Sequence, residues 1–203
     1  MSAAGSAGPV IGVYGGSFDP VHRGHLTIAR RALAQVPCDE VWFVPAARSP
    51  FKPAGAQASA RDRVALLEAA LADAEHMRVC TVELDHPGRR SVDTVRLLRE
   101  DRPEARWRWI MGEDAFDDLP HWAEPETFVA LAPPVVQPRP GIVGERAAIF
   151  AGAPVTWLEG EEIDVSSTAI RERLARGERP DDLHPRVLDL IEARGLYRPE
   201  ATS

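Results

Sequence analysis

Apolar and polar positions follow two rhythms along this chain, one fitting strands and the other helices, and the two alternate. Val10-Ile11-Gly12-Val13-Tyr14 is a short, continuous apolar run, as a buried strand requires. From Leu26 to Ala34 the apolar residues recur at helical spacing, which predicts a helix lying on a sheet. Val41-Trp42-Phe43-Val44-Pro45 is a second buried strand, ended by proline. A long loop from Ala46 to Ser59 follows, and loops of that length inside a compact domain often serve a function. Val64, Leu67 and Leu71 predict a helix over 61–72. Arg78 to Leu84 reads as a strand, and Asp85 to Arg90 as a charged turn. Val92, Val95 and Leu98 predict a helix from Ser91 to Arg99, with Ser91 as its cap.

The second half keeps the alternation. Arg106–Met111 is the next strand, and Gly112-Glu113-Asp114 is a strand-to-helix junction. Leu119-Pro120-His121-Trp122 breaks the helix and leaves a tryptophan in a loop. Pro125 to Leu131 is a short helix, Pro134 to Pro138 a proline-flanked strand, and Val155 to Leu158 a last strand. Ser166-Ser167-Thr168 supply hydroxyls to cap a helix running to Ala175, and Gly195 stops a final helix over 183–194. Between Gly141 and Gly152 no element is legible. Strands alternating with helices predict an α/β fold: an open, mostly parallel sheet with helices on both faces. Such sheets bind ligands outside the carboxyl ends of their strands. Gly15–His25, Lys52, Gly112–Asp114, Trp122 and Ser166–Arg171 all fall at such ends, which predicts one active site.

The richest chemistry lies between the first strand and the first helix, in Gly15-Gly16-Ser17-Phe18-Asp19-Pro20-Val21-His22-Arg23-Gly24-His25. Paired glycines let backbone approach a ligand closely. A helix that begins near His22 turns its free N–H groups and the positive end of its dipole toward the turn, where a phosphate is stabilised. His22 and His25, three apart, share a helix face and reach the same anion. The stretch is not a P-loop, because no Gly-Lys-Ser/Thr follows, and Gly-x-Gly-x-x-Gly is absent. As zinc ligands the two histidines lack the third and fourth partners that zinc usually takes.

Composition narrows the setting. At 203 residues the chain has the length for one domain with a large core. Residues 10–198 are expected to form it, with 1–9 a flexible N-terminal tail and 199–203 a frayed C-terminal one. The net charge of −7 argues against a nonspecific nucleic-acid binder and requires any anion site to be built locally. Lys52 is the only lysine. Cys38 and Cys80 make neither a disulfide framework nor a metal cluster and suit a reducing cytoplasm. The chain has no signal-peptide pattern and no apolar run of membrane-spanning length.

The eleven-residue turn resembles the signature of the nucleotidyltransferase superfamily, His-x-Gly-His after the first strand, in the fuller form of bacterial nicotinate mononucleotide adenylyltransferases. Further motifs are similar to theirs: Pro50-Phe51-Lys52, Ile110-Met111-Gly112-Glu113-Asp114, Leu119-Pro120-His121-Trp122, Arg139-Pro140-Gly141, Val165-Ser166-Ser167-Thr168-Ala169-Ile170-Arg171 and Gly195-Leu196-Tyr197. The resemblance implies a Rossmann-like sheet and transfer of AMP from ATP, with Mg²⁺, to nicotinate mononucleotide in NAD biosynthesis. The products would be nicotinate adenine dinucleotide and pyrophosphate.

The resemblance also implies roles for individual residues. His22, His25 and Arg171 are the catalytic set. Gly15, Gly16, Ser17, Lys52, Gly112, Asp114, Ser166, Ser167 and Thr168 bind ATP. Phe18, Arg90, Ser91, Thr94, Trp122 and Arg139 bind the pyridine mononucleotide. No protein-held metal, nucleic acid or membrane is implied. Arg89-Arg90-Ser91 stand where the family commonly has Ser-Tyr-Thr, Ala123 where it often has a polar or aromatic residue, and Phe51 where it has histidine. Two departures fall on the pyridine side, and Arg90 is expected to face the nicotinate carboxylate. A sister enzyme using nicotinamide mononucleotide or another phosphorylated acceptor, and a noncatalytic nucleotide sensor, are the alternatives.

Overall fold

In the computed structural model, which describes residues 8–47, 57–139 and 154–198, six strands form one sheet. They are β1 (Val10–Gly16), β2 (Glu40–Pro45), β3 (Met77–Val79), β4 (Arg106–Gly112), β5 (Pro134–Gln137) and β6 (Thr156–Trp157). The order is β3-β2-β1-β4-β5-β6, and every pairing is parallel. The order reverses between β1 and β4, so a crevice opens at the carboxyl ends of those two strands. Among the described residues no helix is long and apolar enough to cross a membrane.

Because side chains alternate across a strand, the apolar runs feed two cores at once. Tyr14, Val41, Phe43, Ile110 and Val135 go to one face, and Ile11, Val13, Trp42, Val44, Trp107, Trp109, Met111 and Val136 to the other. Helices α1 (Arg23–Gln35), α2 (Ala60–Leu71), α7 (Ser167–Ala175) and α8 (Pro185–Arg194) cover the first face with Leu26, Leu67, Ile170 and Ile191. On the second face, α4 (Ser91–Asp101), α5 (Glu113–Asp117) and α6 (Pro125–Leu131) contribute Val95, Phe116 and Phe128. Helices on both faces of a parallel sheet match the architecture read from the pattern.

Two local readings are corrected. The strand expected from Arg78 to Leu84 ends at Val79, and Val82–Asp85 form a single helical turn, α3. β3 pairs with β2 over Met77–Val79 and, among the described residues, has no neighbour beyond it. The cap of α4 is Arg90, whose N–H donates to the Asp93 carboxylate at 3.2 Å, and Ser91 is the first helical residue.

Candidate active site

The turn after β1 is built by close contacts that only glycine permits. A Cβ on Gly15 would lie 2.7 Å from Cζ2 of Trp109, so the strand end rests directly on that ring. A Cβ on Gly24 would lie 3.1 Å from Nδ1 of His22 and 2.9 Å from Ile163. Gly24 therefore makes room for the His22 ring, which stacks on His25 with centroids 3.7 Å apart. His22 caps α1, and its N–H donates to Nδ1 of His25 at 3.2 Å. With Nδ1 accepting, the proton of neutral His25 sits on Nε2, which is then a donor. His22 is 6% exposed, and among the described residues its buried Nδ1 has no partner within hydrogen-bond criteria. Burial pushes the His22 pKa down to about 4, partly opposed by Asp182. Burial and then its His22 neighbour push His25 well below the ordinary range.

A buried carboxylate ties the sequence motifs together. Asp19 is 1% exposed. It accepts the backbone N–H groups of Gln57 at 2.9 Å and Ala58 at 3.1 Å, and the Tyr197 hydroxyl at 2.9 Å. The Arg171 guanidinium lies 3.9 Å from this carboxylate and donates to the Asp19 carbonyl at 2.7 Å. Ser167 donates to the Pro20 carbonyl at 3.1 Å, Ser166 caps α7 by accepting from Ala169 N–H, and Thr168 accepts from Arg171. The turn, α7 and the C-terminal Gly-Leu-Tyr thus meet at one residue. Among the described residues the buried Nε of Arg171 has no partner.

Arg63 belongs to the same assembly. It is 2% exposed and donates to the carbonyls of Ser17 and Ala46, each at 2.8 Å, clamping the ends of β1 and β2. Burial lowers its pKa, against the pull of Asp19. Its signal in the sequence is an arginine four residues before Leu67 on the buried stripe of a helix.

Beside the turn lies a cleft of about 680 Å³. Gly15, Gly16 and Ser17 of the turn line it together with Trp109, Met111, Gly112, Arg90, Ser91, Asp118 and Trp122. Trp122 is held by its indole N–H to Asp118 at 3.2 Å and by its ring against Phe128. Glu83, on α3, also lines the cleft and accepts the Thr94 hydroxyl at 3.1 Å. Its role is absent from the sequence reading because the stretch was taken for a strand.

Of the residues expected on the pyridine side, Arg90, Ser91 and Trp122 line this cleft. Phe18, Thr94 and Arg139 are placed elsewhere. Phe18 is 2% exposed, its ring packed on Tyr14, Phe43 and His25, because an apolar ring beside the sheet joins the core. Thr94 is buried and spends its hydroxyl on Glu83. Arg139 pairs with Asp114, and its N–H donates to buried Glu113 at 2.6 Å, at the carboxyl ends of β4 and β5. Arg90 reaches the cleft, with its guanidinium also paired to Asp93 at 3.3 Å and Glu124 at 3.5 Å. Gly112 faces open space, where an added Cβ would meet nothing within 4 Å. Lys52 lies outside the described residues.

Known proteins carry the same design. The cytidylyltransferase-like family model matches residues 13–173. A Gloeobacter violaceus protein named "probable nicotinate-nucleotide adenylyltransferase" is 38% identical over 199 residues, covering 94% of this chain and 97% of the relative. One of the same name from Shouchella clausii is 40% identical over 190 residues, covering 92% and 96%. The solved nicotinic acid mononucleotide adenylyltransferase of Plasmodium falciparum, complexed with NaAD, shares the fold. Its TM-score is 0.79 at 18% identity, over 93% of this chain and 97% of that one. The chain belongs to the cytidylyltransferase-like nucleotidyltransferases, in the family of the nicotinate-nucleotide adenylyltransferases.

Proposed function

We propose that this protein transfers the AMP part of ATP to nicotinate mononucleotide, giving nicotinate adenine dinucleotide and pyrophosphate. The observation that carries the reading is the stacked, neutral His22–His25 pair at the start of α1, beside the cleft lined by Gly15, Gly16 and Ser17. An oxygen of the acceptor's 5′-phosphate attacks the α-phosphorus of ATP. The bond from that phosphorus to the bridging oxygen breaks, and pyrophosphate leaves with the electron pair. The attacking monoester has a second pKa near ~6 and is already mostly dianionic at neutral pH, so no general base is needed.

Rate then comes from positioning and from donors aimed at developing charge. His25 offers Nε2–H, and His22, stacked on it at the start of α1, is the second histidine facing the phosphates. Free N–H groups at the start of α1 and the backbone of Gly15, Gly16 and Ser17 add to them. Arg171, held at the turn by the Asp19 carbonyl, is the cation for the leaving pyrophosphate. Gly112 and Asp114 shape the adenosine side, and Lys52 is a candidate cation for the phosphates. Arg90, Ser91 and Trp122 border the pyridine.

Among the described residues no group of three or more His, Cys, Asp or Glu is arranged to hold a metal. Magnesium would arrive with the ATP substrate, held mainly by phosphate oxygens and water. The free cysteines Cys38 and Cys80 suit a reducing cytoplasm as the setting.

The test is pyrophosphate release from Mg·ATP with nicotinate mononucleotide, nicotinamide mononucleotide and other phosphorylated acceptors offered separately. Preference for nicotinate mononucleotide supports the reading. Preference for another acceptor redirects the substrate assignment, and no release with any acceptor returns the fold to a binding role.

A further inference from the structure

We propose that Glu83 is a specificity-determining residue of this site, the counter-charge that selects an N-ribosylated, positively charged pyridinium ring over a neutral ring of the same shape. The inference rests on the reading above and deepens it.

Glu83 is a partly buried carboxyl group facing a cleft, and a group of that kind needs a reason to be there. One oxygen accepts the Thr94 hydroxyl at 3.1 Å, and among the described residues no cationic side chain pairs with it. Arg90 and Arg96 each pair with Asp93 and Glu124. Burial pushes the Glu83 carboxyl up, with Thr94 opposing. A carboxylate desolvated without a countercharge is costly, and the cost is recovered when a ligand brings a cation to it.

The surrounding walls suit such a cation. Trp109 and Trp122 line the same cleft, and indole faces attract positive charge while stacking well on a flat ring. Arg89 and Arg90 line the same cleft and supply cations for the carboxylate or phosphate of the same ligand. The mononucleotide carries a positive ring nitrogen together with negative carboxylate and phosphate groups, and the cleft holds both an acidic side chain and arginines. Glu83 has a structural duty too, since Thr94 lies on α4, so the test must read ring charge rather than loss of packing.

The experiment compares two acceptors in wild type, Glu83→Gln and Glu83→Asp. One is nicotinate mononucleotide. The other is its carbon-linked analogue, 3-carboxyphenyl riboside 5′-phosphate, which keeps the ring shape, carboxylate and phosphate but has no ring charge. Pyrophosphate release from Mg·ATP gives kcat and KM for each. Wild type is expected to favour the pyridinium by at least about tenfold in kcat/KM, mostly through KM. Glu83→Gln still accepts from Thr94 and is expected to bring the ratio close to one. Glu83→Asp keeps the charge and is expected to keep a preference.

A ratio unchanged in Glu83→Gln overturns the proposal. So does a wild type that treats the two rings alike, whether or not the variants fold. A wild type that transfers to neither acceptor overturns the proposed function itself, which separates the two failures.

Discussion

Asp19→Ala tests whether the motifs scattered along the chain are one construction. The substitution removes the acceptor for Gln57 and Ala58 N–H and for the Tyr197 hydroxyl, and it leaves Arg171 without the carboxylate 3.9 Å away. Hydrogen bonds to a charged group contribute about 1.5–3 kcal/mol each, but those sharing one carboxylate do not add. The closer guide is removal of one member of a buried ionic group, which costs about 3–5 kcal/mol. The Asp19 side chain is fully buried and that of Arg171 is 10% exposed, so solvent screening does little to reduce this figure. At about 2–4 °C per kcal/mol for a chain of this size, the melting temperature falls by roughly 6–20 °C. Urea unfolding should show a lower midpoint with an unchanged slope. Tyr197→Phe removes a single donor and should cost less than half as much. A loss under about 1 kcal/mol for Asp19→Ala would mean that the turn, α7 and the C-terminus do not depend on this carboxylate.

Other outcomes follow from the same geometry. Gly24→Ala gains about 1 kcal/mol in helix propensity but sets a Cβ 3.1 Å from the His22 ring, a crowding worth about 1–3 kcal/mol. Stability should stay within about 2 kcal/mol while kcat drops at least about tenfold, and a stabler variant with full turnover would show that the ring position is irrelevant. His25→Ala loses one preorganised donor and should lower kcat by roughly 10²–10³ with little change in acceptor KM, measured on folded protein. Stability should decline as pH is lowered from about 6.5 toward 4. His22 and His25 have depressed pKa values, so the unfolded chain takes up their protons first and the folded state gains no compensating charge. The slope is about 1.4 kcal/mol per pH unit for each histidine, and flat stability across that window in wild type, matched by His22→Gln, would refute the burial argument.

How much of this was legible in the sequence depends on where the signal resides. Strands β1 and β2 contain continuous apolar runs because the sheet is covered on both faces, and the order of strands and helices led directly to the α/β class. The turn was readable because glycine pairs and closely spaced histidines carry their own chemistry. The short helix Val82–Asp85 was not, since a few residues with apolar and polar positions interleaved fit either period. Glu83 disappeared with it. The sequence names Phe18 within the motif, whereas which way its ring turns is decided by the sheet beside it, here Tyr14 and Phe43. Asp19 stands in the same motif without a role of its own in the sequence, because its partners are 38 and 178 residues away and only the folded chain brings them together.

The central claim is direct transfer of an adenylyl group to a pyridine mononucleotide, and isotope tracing tests it most directly. ATP labelled at the α-phosphorus is incubated with Mg²⁺, nicotinate mononucleotide and the protein, and the products are separated. All label that leaves ATP should appear in nicotinate adenine dinucleotide, with one unlabelled pyrophosphate for each dinucleotide formed. Label collecting in free AMP, or remaining in ATP while nicotinate mononucleotide stays intact, would contradict the account.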